Sequence, residues 1–121
     1  MGYEDKKRYL DMYKHYVSRL NNYKMEIDFI NSLHGLSGRT IKIDKETQLF
    51  IQKLKKEENM AASKARAVLD IINTAPDETD RRILIARHVQ LKSMKDIMEI
   101  EGYSRSGLAK RYRRAVNSVH I

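Results

Sequence analysis

Residues 93–116 of the chain read SMKDIMEIEGYSRSGLAKRYRRAV, and this stretch decides the predicted fold. Ser93 can cap a short helix whose apolar residues recur at helical spacing, and Gly102 then marks a turn. Ser104 is a second capping residue, and the helix that follows it carries a run of basic residues. Two short helices joined by a glycine-containing turn are typical of a helix-turn-helix, whose second helix enters the major groove of DNA.

The predicted helix 105–119 has two contrasting faces. When Leu108 is directed inward, a period of 3.6 residues per turn places Tyr112, Ala115 and Val119 on the same side. The opposite side is polar and basic, so we predict that its first turns read base edges and that its later cations contact phosphates. The predicted base-reading residues are Arg105, Ser106, Ala109 and Lys110, and the predicted phosphate contacts are Lys95, Ser104, Arg111, Arg113 and Arg114.

The charge of the chain is concentrated in the same segment. The formal net charge is +8, and residues 104–121 contain five Lys or Arg residues and no Asp or Glu. Such a field attracts polyanions and is screened by salt. Most basic runs in proteins are simply solvated surfaces. Here the caps, the turn, the inward apolar stripe and the outward basic face all fit the geometry of a helix-turn-helix. The combination favours double-stranded DNA as the partner.

The first part of the chain predicts a long helix over residues 4–33. Its apolar residues recur at steps of three and four, the pattern of a coiled-coil seam. A helix with such a seam is expected to pair with another helix, and the seam is therefore a candidate for oligomer formation. The seam residues are Tyr9, Tyr13, Tyr16, Leu20, Tyr23, Ile27 and Ile30.

A second helix is predicted after a loop that contains two glycines. Asp44 caps this helix, and an apolar stripe with the same spacing continues to Ile72. Two helices joined by a loop of about ten residues form an antiparallel hairpin. The second-helix stripe consists of Ile51, Leu54, Ala61, Ala65, Val68 and Ile72.

Pro76 separates two predicted domains, because proline disfavours helical geometry in the residue before it. Residues 1–75 form a coiled-coil-like helical hairpin for oligomerisation or partner binding, and residues 76–121 form a DNA-binding domain with Asp77 capping its first helix. The predicted fold class is all-α: a long antiparallel hairpin followed by a three-helix unit.

Several classes of function are disfavoured by what the sequence lacks. There is no cysteine, no pair of histidines at metal-ligand spacing and no glycine-rich phosphate loop. No apolar run approaches the roughly 18 residues of a membrane span, and no apolar signal region follows the N-terminus. We expect a cytoplasmic protein that is not an enzyme, uses no cofactor or metal and has no membrane partner.

The C-terminal part, from about residue 82 to 119, resembles region 4 of bacterial sigma-70-type factors. It is more similar still to phage proteins with sigma-region-4-like ends, which include the RinA and ArpU late-gene transcription regulators. Three features depart from the pattern: Met98 replaces a small residue, Leu91 replaces a turn glycine, and the acidic residue often found early in the recognition helix is absent. The matching positions are Arg87-His88-Val89, the segment 92–97, Gly102-Tyr103-Ser104, Leu108, Arg114 and Ala115.

This resemblance implies a phage-encoded transcription regulator that acts in the cytoplasm of a bacterial host cell. It would bind promoter or operator DNA and touch RNA polymerase. Two alternatives stay open. The basic face could bind an acidic protein or RNA polymerase without reading DNA. The hairpin could form a homodimer, which would place two motifs on half-sites about one duplex turn apart.

Overall fold

The computed structural model describes residues 1–35 and 44–121, and all regular secondary structure in these ranges is helical. The predicted all-α class and the long N-terminal helix are therefore confirmed. A π-helical segment, Ile85–Val89, continues directly from the third helix. The α-helices of the described ranges are α1 (Tyr3–Gly35), α2 (Lys45–Ile72), α3 (Glu78–Leu84), α4 (Met94–Glu101) and α5 (Arg105–Ser118).

Side-chain caps set where four of these helices begin. In each case a carboxylate or hydroxyl oxygen accepts a hydrogen bond from a backbone N–H two or three residues later. Such a cap satisfies one of the N–H groups that a helix start leaves unpaired. The sequence predicts these positions because the capping signal is local. The capping residues are Asp44, Asp77, Ser93 and Ser104.

Two residues with positive φ shape the turns on either side of α4. Gly102 ends α4 with φ +74°, a conformation that glycine adopts without steric cost. Leu91, which precedes α4, has φ +56°, and within the described ranges it is the only residue other than glycine with a positive φ. Leu91 therefore holds a left-handed conformation that a residue with a Cβ atom adopts less readily than glycine.

The described residues divide into two compact units. The terminal unit consists of residues 1–14 and 65–121, and the hairpin unit consists of residues 15–64. Helices α1 and α2 each run through both units. The first turns of α1 thus belong to the same unit as the C-terminal helices.

In the hairpin unit, part of the predicted seam packs within the chain. Ile27 is buried, while Tyr16, Leu20 and Tyr23 are half-buried. Lys64 Nζ lies 5.8 Å from the centroid of the Tyr16 ring, so the start of the α1 portion faces the end of the α2 portion. This is the direction expected of antiparallel helices. The seam is therefore used at least partly inside one chain, and the homodimer stays a prediction.

The stripe predicted for α2 is buried along its whole length. Its members in the hairpin unit and in the terminal unit are all classed as buried, from Ile51 to Ile72. In the terminal unit, α5 likewise turns its predicted inward face to the core. Leu108, Tyr112 and Ala115 are buried, and so is Val119 just beyond the helix.

A buried ion pair joins α5 to the start of α3. Asp80 is only 1% exposed, and its Oδ1 accepts a hydrogen bond from Arg111 Nε at 2.8 Å. Arg111 Nη2 also lies 2.9 Å from Asp77 Oδ1. The neighbouring carboxylates raise the pKa of Arg111 despite its partial desolvation. A buried carboxylate is tolerated only when it is paired in this way.

We predict that Arg111→Met lowers the free energy of unfolding by about 3 kcal/mol, because it leaves the Asp80 carboxylate buried without its cation. Urea denaturation followed by circular dichroism measures the loss. Lys110→Met is the matched control, since Lys110 is exposed and its replacement should change stability by no more than about 0.5 kcal/mol. Equal losses in the two variants would contradict the structural role of Arg111.

Candidate nucleic-acid interface

The outward face of α5 is exposed and free of acidic residues. Lys110, Arg113, Arg114 and Asn117 are all exposed, and together with Ser118 they line one open groove on the helix. Three cations and an amide supply hydrogen-bond donors and no fixed negative charge, while the Ser118 hydroxyl donates to Ala115 O at 2.7 Å. This groove, which we call the α5 groove, is suited to a polyanion.

The predicted base-reading residues lie at the start of the same helix. Arg105, Ser106 and Ala109 are exposed, and Arg105 is the first residue of α5. Within the described ranges, no hydrogen bond or ion pair ties the side chain of Arg105 or Lys110 to another group. These side chains are thus available to an external partner.

The remaining predicted phosphate contacts lie nearby along the chain. Ser104 caps α5, its Oγ accepting a hydrogen bond from Gly107 N at 3.1 Å, and its hydroxyl proton remains available to an acceptor. Lys95 is exposed in the first turn of α4. Helices α4 and α5 are consecutive and both belong to the terminal unit.

Arg111 does not belong with this set. Its position in the basic run predicted a phosphate contact. In the structure its guanidinium binds Asp80 and Asp77, and its side chain is 21% exposed. Since its Nε and Nη2 atoms are engaged by carboxylates, we correct the prediction and assign Arg111 to holding α5 in place.

Gly107 lies in the first turn of α5, where glycine lowers helix stability by about 1 kcal/mol relative to alanine. A Cβ atom built on Gly107 would lie 3.0 Å from Ser104 Oγ and 3.7 Å from Tyr103 Cδ1. A side chain here would therefore press on the oxygen that caps the helix. The position is therefore tight for any residue with a Cβ atom.

A chain of hydrogen-bonded polar groups, of which His88 and Tyr112 are buried, supports the inner side of α5. His88 is 2% exposed, its Nδ1 lies 3.1 Å from Asp11 Oδ1, and its Nε2 lies 2.8 Å from the Tyr112 hydroxyl oxygen. Because a carboxylate only accepts hydrogen bonds, Nδ1 donates to Asp11, and in the neutral ring Nε2 then accepts from Tyr112.

Burial lowers the pKa of His88 below 6.5, although Asp11 opposes the shift, and burial raises the pKa of Tyr112.

The first turns of α1 contact the C-terminal half of α5 and the residue that follows it. This contact was not predicted from the sequence. Lys6 Nζ donates hydrogen bonds to Asn117 O at 2.9 Å and to Val119 O at 2.8 Å. A cation at this position satisfies carbonyl groups that the helix end leaves unpaired. The guanidinium carbon of Arg113 lies 4.7 Å from the centroid of the Tyr3 ring. No local spacing signals these contacts, because the partners lie at opposite ends of the sequence.

Residues 1–35 and 44–121 contain neither a metal-binding cluster nor a membrane-spanning helix. No group of three or more His, Cys, Asp or Glu residues there could hold a metal ion. None of the helices in those ranges combines the length and the apolar character that a bilayer crossing requires.

No family model matches the chain, and no curated protein or solved structure shows significant similarity to it.

The His88 chain predicts a pH-dependent stability. A base whose pKa is lower in the folded state is protonated preferentially in the unfolded chain, so the free energy of unfolding should fall as the pH drops below about 6.5. Between about pH 7.5 and pH 5.5 the loss should reach up to about 1.4 kcal/mol, which urea denaturation at each pH measures.

Two variants isolate the contribution of His88. His88→Gln keeps a polar side chain without a titrating group, and the part of the pH dependence due to this residue should vanish. His15→Gln removes an exposed histidine of the hairpin unit and should retain the full decrease. A His88→Gln protein that loses stability as steeply as the wild type would refute the assignment.

Proposed function

We propose that this protein is a transcriptional regulator that binds double-stranded DNA through a helix-turn-helix formed by α4 and α5. The single observation that carries the proposal is the outward face of α5, where exposed cations line one groove without a carboxylate. A helix of this kind fits the major groove, with phosphates within reach of its flanking cations.

In this proposal the first turns of α5 contact base edges, and its later turns contact phosphates. Arg105, Ser106, Ala109 and Lys110 lie in its first turns, where recognition helices reach base edges. Arginine and lysine donate to the two acceptors of guanine, and the Ala109 methyl group suits the methyl group of thymine. Arg113 and Arg114 lie further along the helix and contact the phosphate backbone, together with Lys95 and Ser104. The first set discriminates between sequences, and the second orients the protein.

The resemblance to sigma region 4 and to the RinA and ArpU regulators extends this proposal. It supports a sigma-region-4-like arrangement of α3, α4 and α5, a phage origin, action in the bacterial cytoplasm and contact with RNA polymerase. The buried inward face of α5 and the left-handed turn at Leu91 agree with such an arrangement.

Lys110→Glu should abolish binding to a pool of random-sequence DNA duplexes, because it replaces a donor in the α5 groove by a charge that phosphates repel. Fluorescence anisotropy over about 50 to 200 mM NaCl measures the affinity, and for the wild type log K should fall linearly with log salt, by about 0.9 for each phosphate contacted. Lys24→Glu makes the same charge change on an exposed residue of the hairpin unit.

The control variant should retain most of the affinity of the wild type, and both variants should keep their helical circular dichroism. Equal weakening by the two substitutions would reduce the effect to net charge and would exclude α5 as the reading helix. Selection of binding sites from random duplexes then identifies the preferred sequence. Arg105→Ala should relax that preference at one position, at a cost of about 1 to 3 kcal/mol.

An acidic protein is the second candidate partner for the same groove. The observation in its favour is that cations of the α5 groove are as available to carboxylates as to phosphates. A wild-type protein that shows no salt-dependent affinity for duplex DNA would favour this alternative over DNA reading.

A homodimer through the partly exposed seam of α1 would bring two α5 helices to adjacent half-sites. Static light scattering at tens of micromolar protein, with and without DNA, should then give twice the mass of one chain. A monomer under both conditions would remove this part of the proposal and leave the DNA-binding role of α5 unaffected.

A further inference from the structure

Arg113 differs from the other exposed cations of the α5 groove in having a neighbour that holds it. Its guanidinium carbon lies 4.7 Å from the centroid of the Tyr3 ring. Within the described ranges, Lys110 and Arg114 make no hydrogen bond, ion pair or ring contact. One cation in the groove is therefore oriented before any partner arrives, and the other two are free to move.

The contact between Arg113 and Tyr3 is a cation–π contact, which attracts the guanidinium to the ring without supplying a hydrogen-bond acceptor from another residue. A guanidinium carries five N–H donors, so donors remain for an external acceptor. These N–H groups match the geometry of phosphate oxygens. Arg113 is exposed, and within the described ranges no carboxylate forms an ion pair with it.

Other contacts hold Tyr3 itself in position. Three residues later, Lys6 donates to the carbonyl oxygens of Asn117 and Val119. One further turn along α1, Leu10 is fully buried. The first turns of α1 are thus fastened to the unit that contains α5, and the ring beneath Arg113 is part of a packed helix.

We propose that Tyr3 is a positioning residue that orients Arg113 toward a DNA phosphate. The inference rests on the proposed function and adds to the α5 surface a residue from the opposite end of the sequence. A free arginine side chain loses rotamer freedom when it binds, whereas a stacked one has lost much of it during folding. Tyr3 therefore strengthens binding without touching DNA.

A double-mutant cycle tests this role. The proteins are the full-length wild type, Tyr3→Leu, Arg113→Ala and the double variant, each titrated with random-sequence DNA duplexes by fluorescence anisotropy at several salt concentrations. Tyr3→Leu should weaken binding about three- to tenfold. In the Arg113→Ala background the same substitution should have no further effect, because the side chain that Tyr3 orients is gone.

Two control variants separate the ring from the fold. Tyr3→Phe keeps the aromatic face and should bind DNA as the wild type does. Phe29→Leu removes an exposed aromatic ring of the hairpin unit that is not part of the predicted seam, and it should also leave the affinity unchanged. Circular dichroism records the helicity of every variant.

The outcomes distinguish this inference from the proposed function. If Arg113→Ala weakens binding and Tyr3→Leu does not, the positioning role is refuted and the DNA-binding role stands. Equal weakening by Tyr3→Leu in both backgrounds, including weakening through loss of helicity, also refutes it, because Tyr3 would then act through folding alone. If the wild type shows no salt-dependent affinity for DNA, the proposed function fails and the inference fails with it.

Discussion

The ion pair between Arg111 and the buried carboxylate of Asp80 is the contact on which the placement of α5 depends. It joins the middle of α5 to the first turn of α3 at 2.8 Å. An apolar core alone can allow a helix to slide or rotate at modest cost, whereas a buried charge must meet its partner at hydrogen-bond distance. The pair therefore fixes which face of α5 points outward, and through that face it sets which cations can meet a partner.

Cations close together in one helix consequently have three different environments. Arg111 is neutralised by carboxylates, Arg113 lies on the ring of Tyr3, and Lys110 and Arg114 extend into solvent. The basic run has a uniform composition, but its chemistry is not uniform. Under the proposed function, Arg111 supplies rigidity, Arg113 supplies an oriented donor, and the free cations supply adaptable charge for the phosphate backbone.

The inner side of α5 is held by a hydrogen-bonded chain of three side chains. The buried ring of His88 bridges Asp11 of α1 and Tyr112 of α5. A polar network around a buried group favours one packing arrangement over others only when each polar atom has a hydrogen-bond partner. Within the described ranges, no buried side-chain nitrogen or oxygen lacks a hydrogen-bond partner. Two sets of contacts from α1 therefore hold α5. Asp11 contacts the inner side of α5 through His88. Lys6 contacts its C-terminal end, and Tyr3 contacts Arg113 on its exposed face.

Much of the fold and part of the candidate site could be read from the sequence alone. The caps at Asp77, Ser93 and Ser104, the turn at Gly102 and the inward face of α5 follow from residues within a few positions of each other, where helical geometry fixes the distances. The tertiary structure alone decided that Arg111 pairs with Asp80, that His88 is buried, and that Tyr3 lies beneath Arg113. These contacts join residues separated by 24 positions at the least, and such separations have no fixed distance until the core has packed. Local periodicity therefore determined which residues face outward, and long-range packing determined which of them are free to bind.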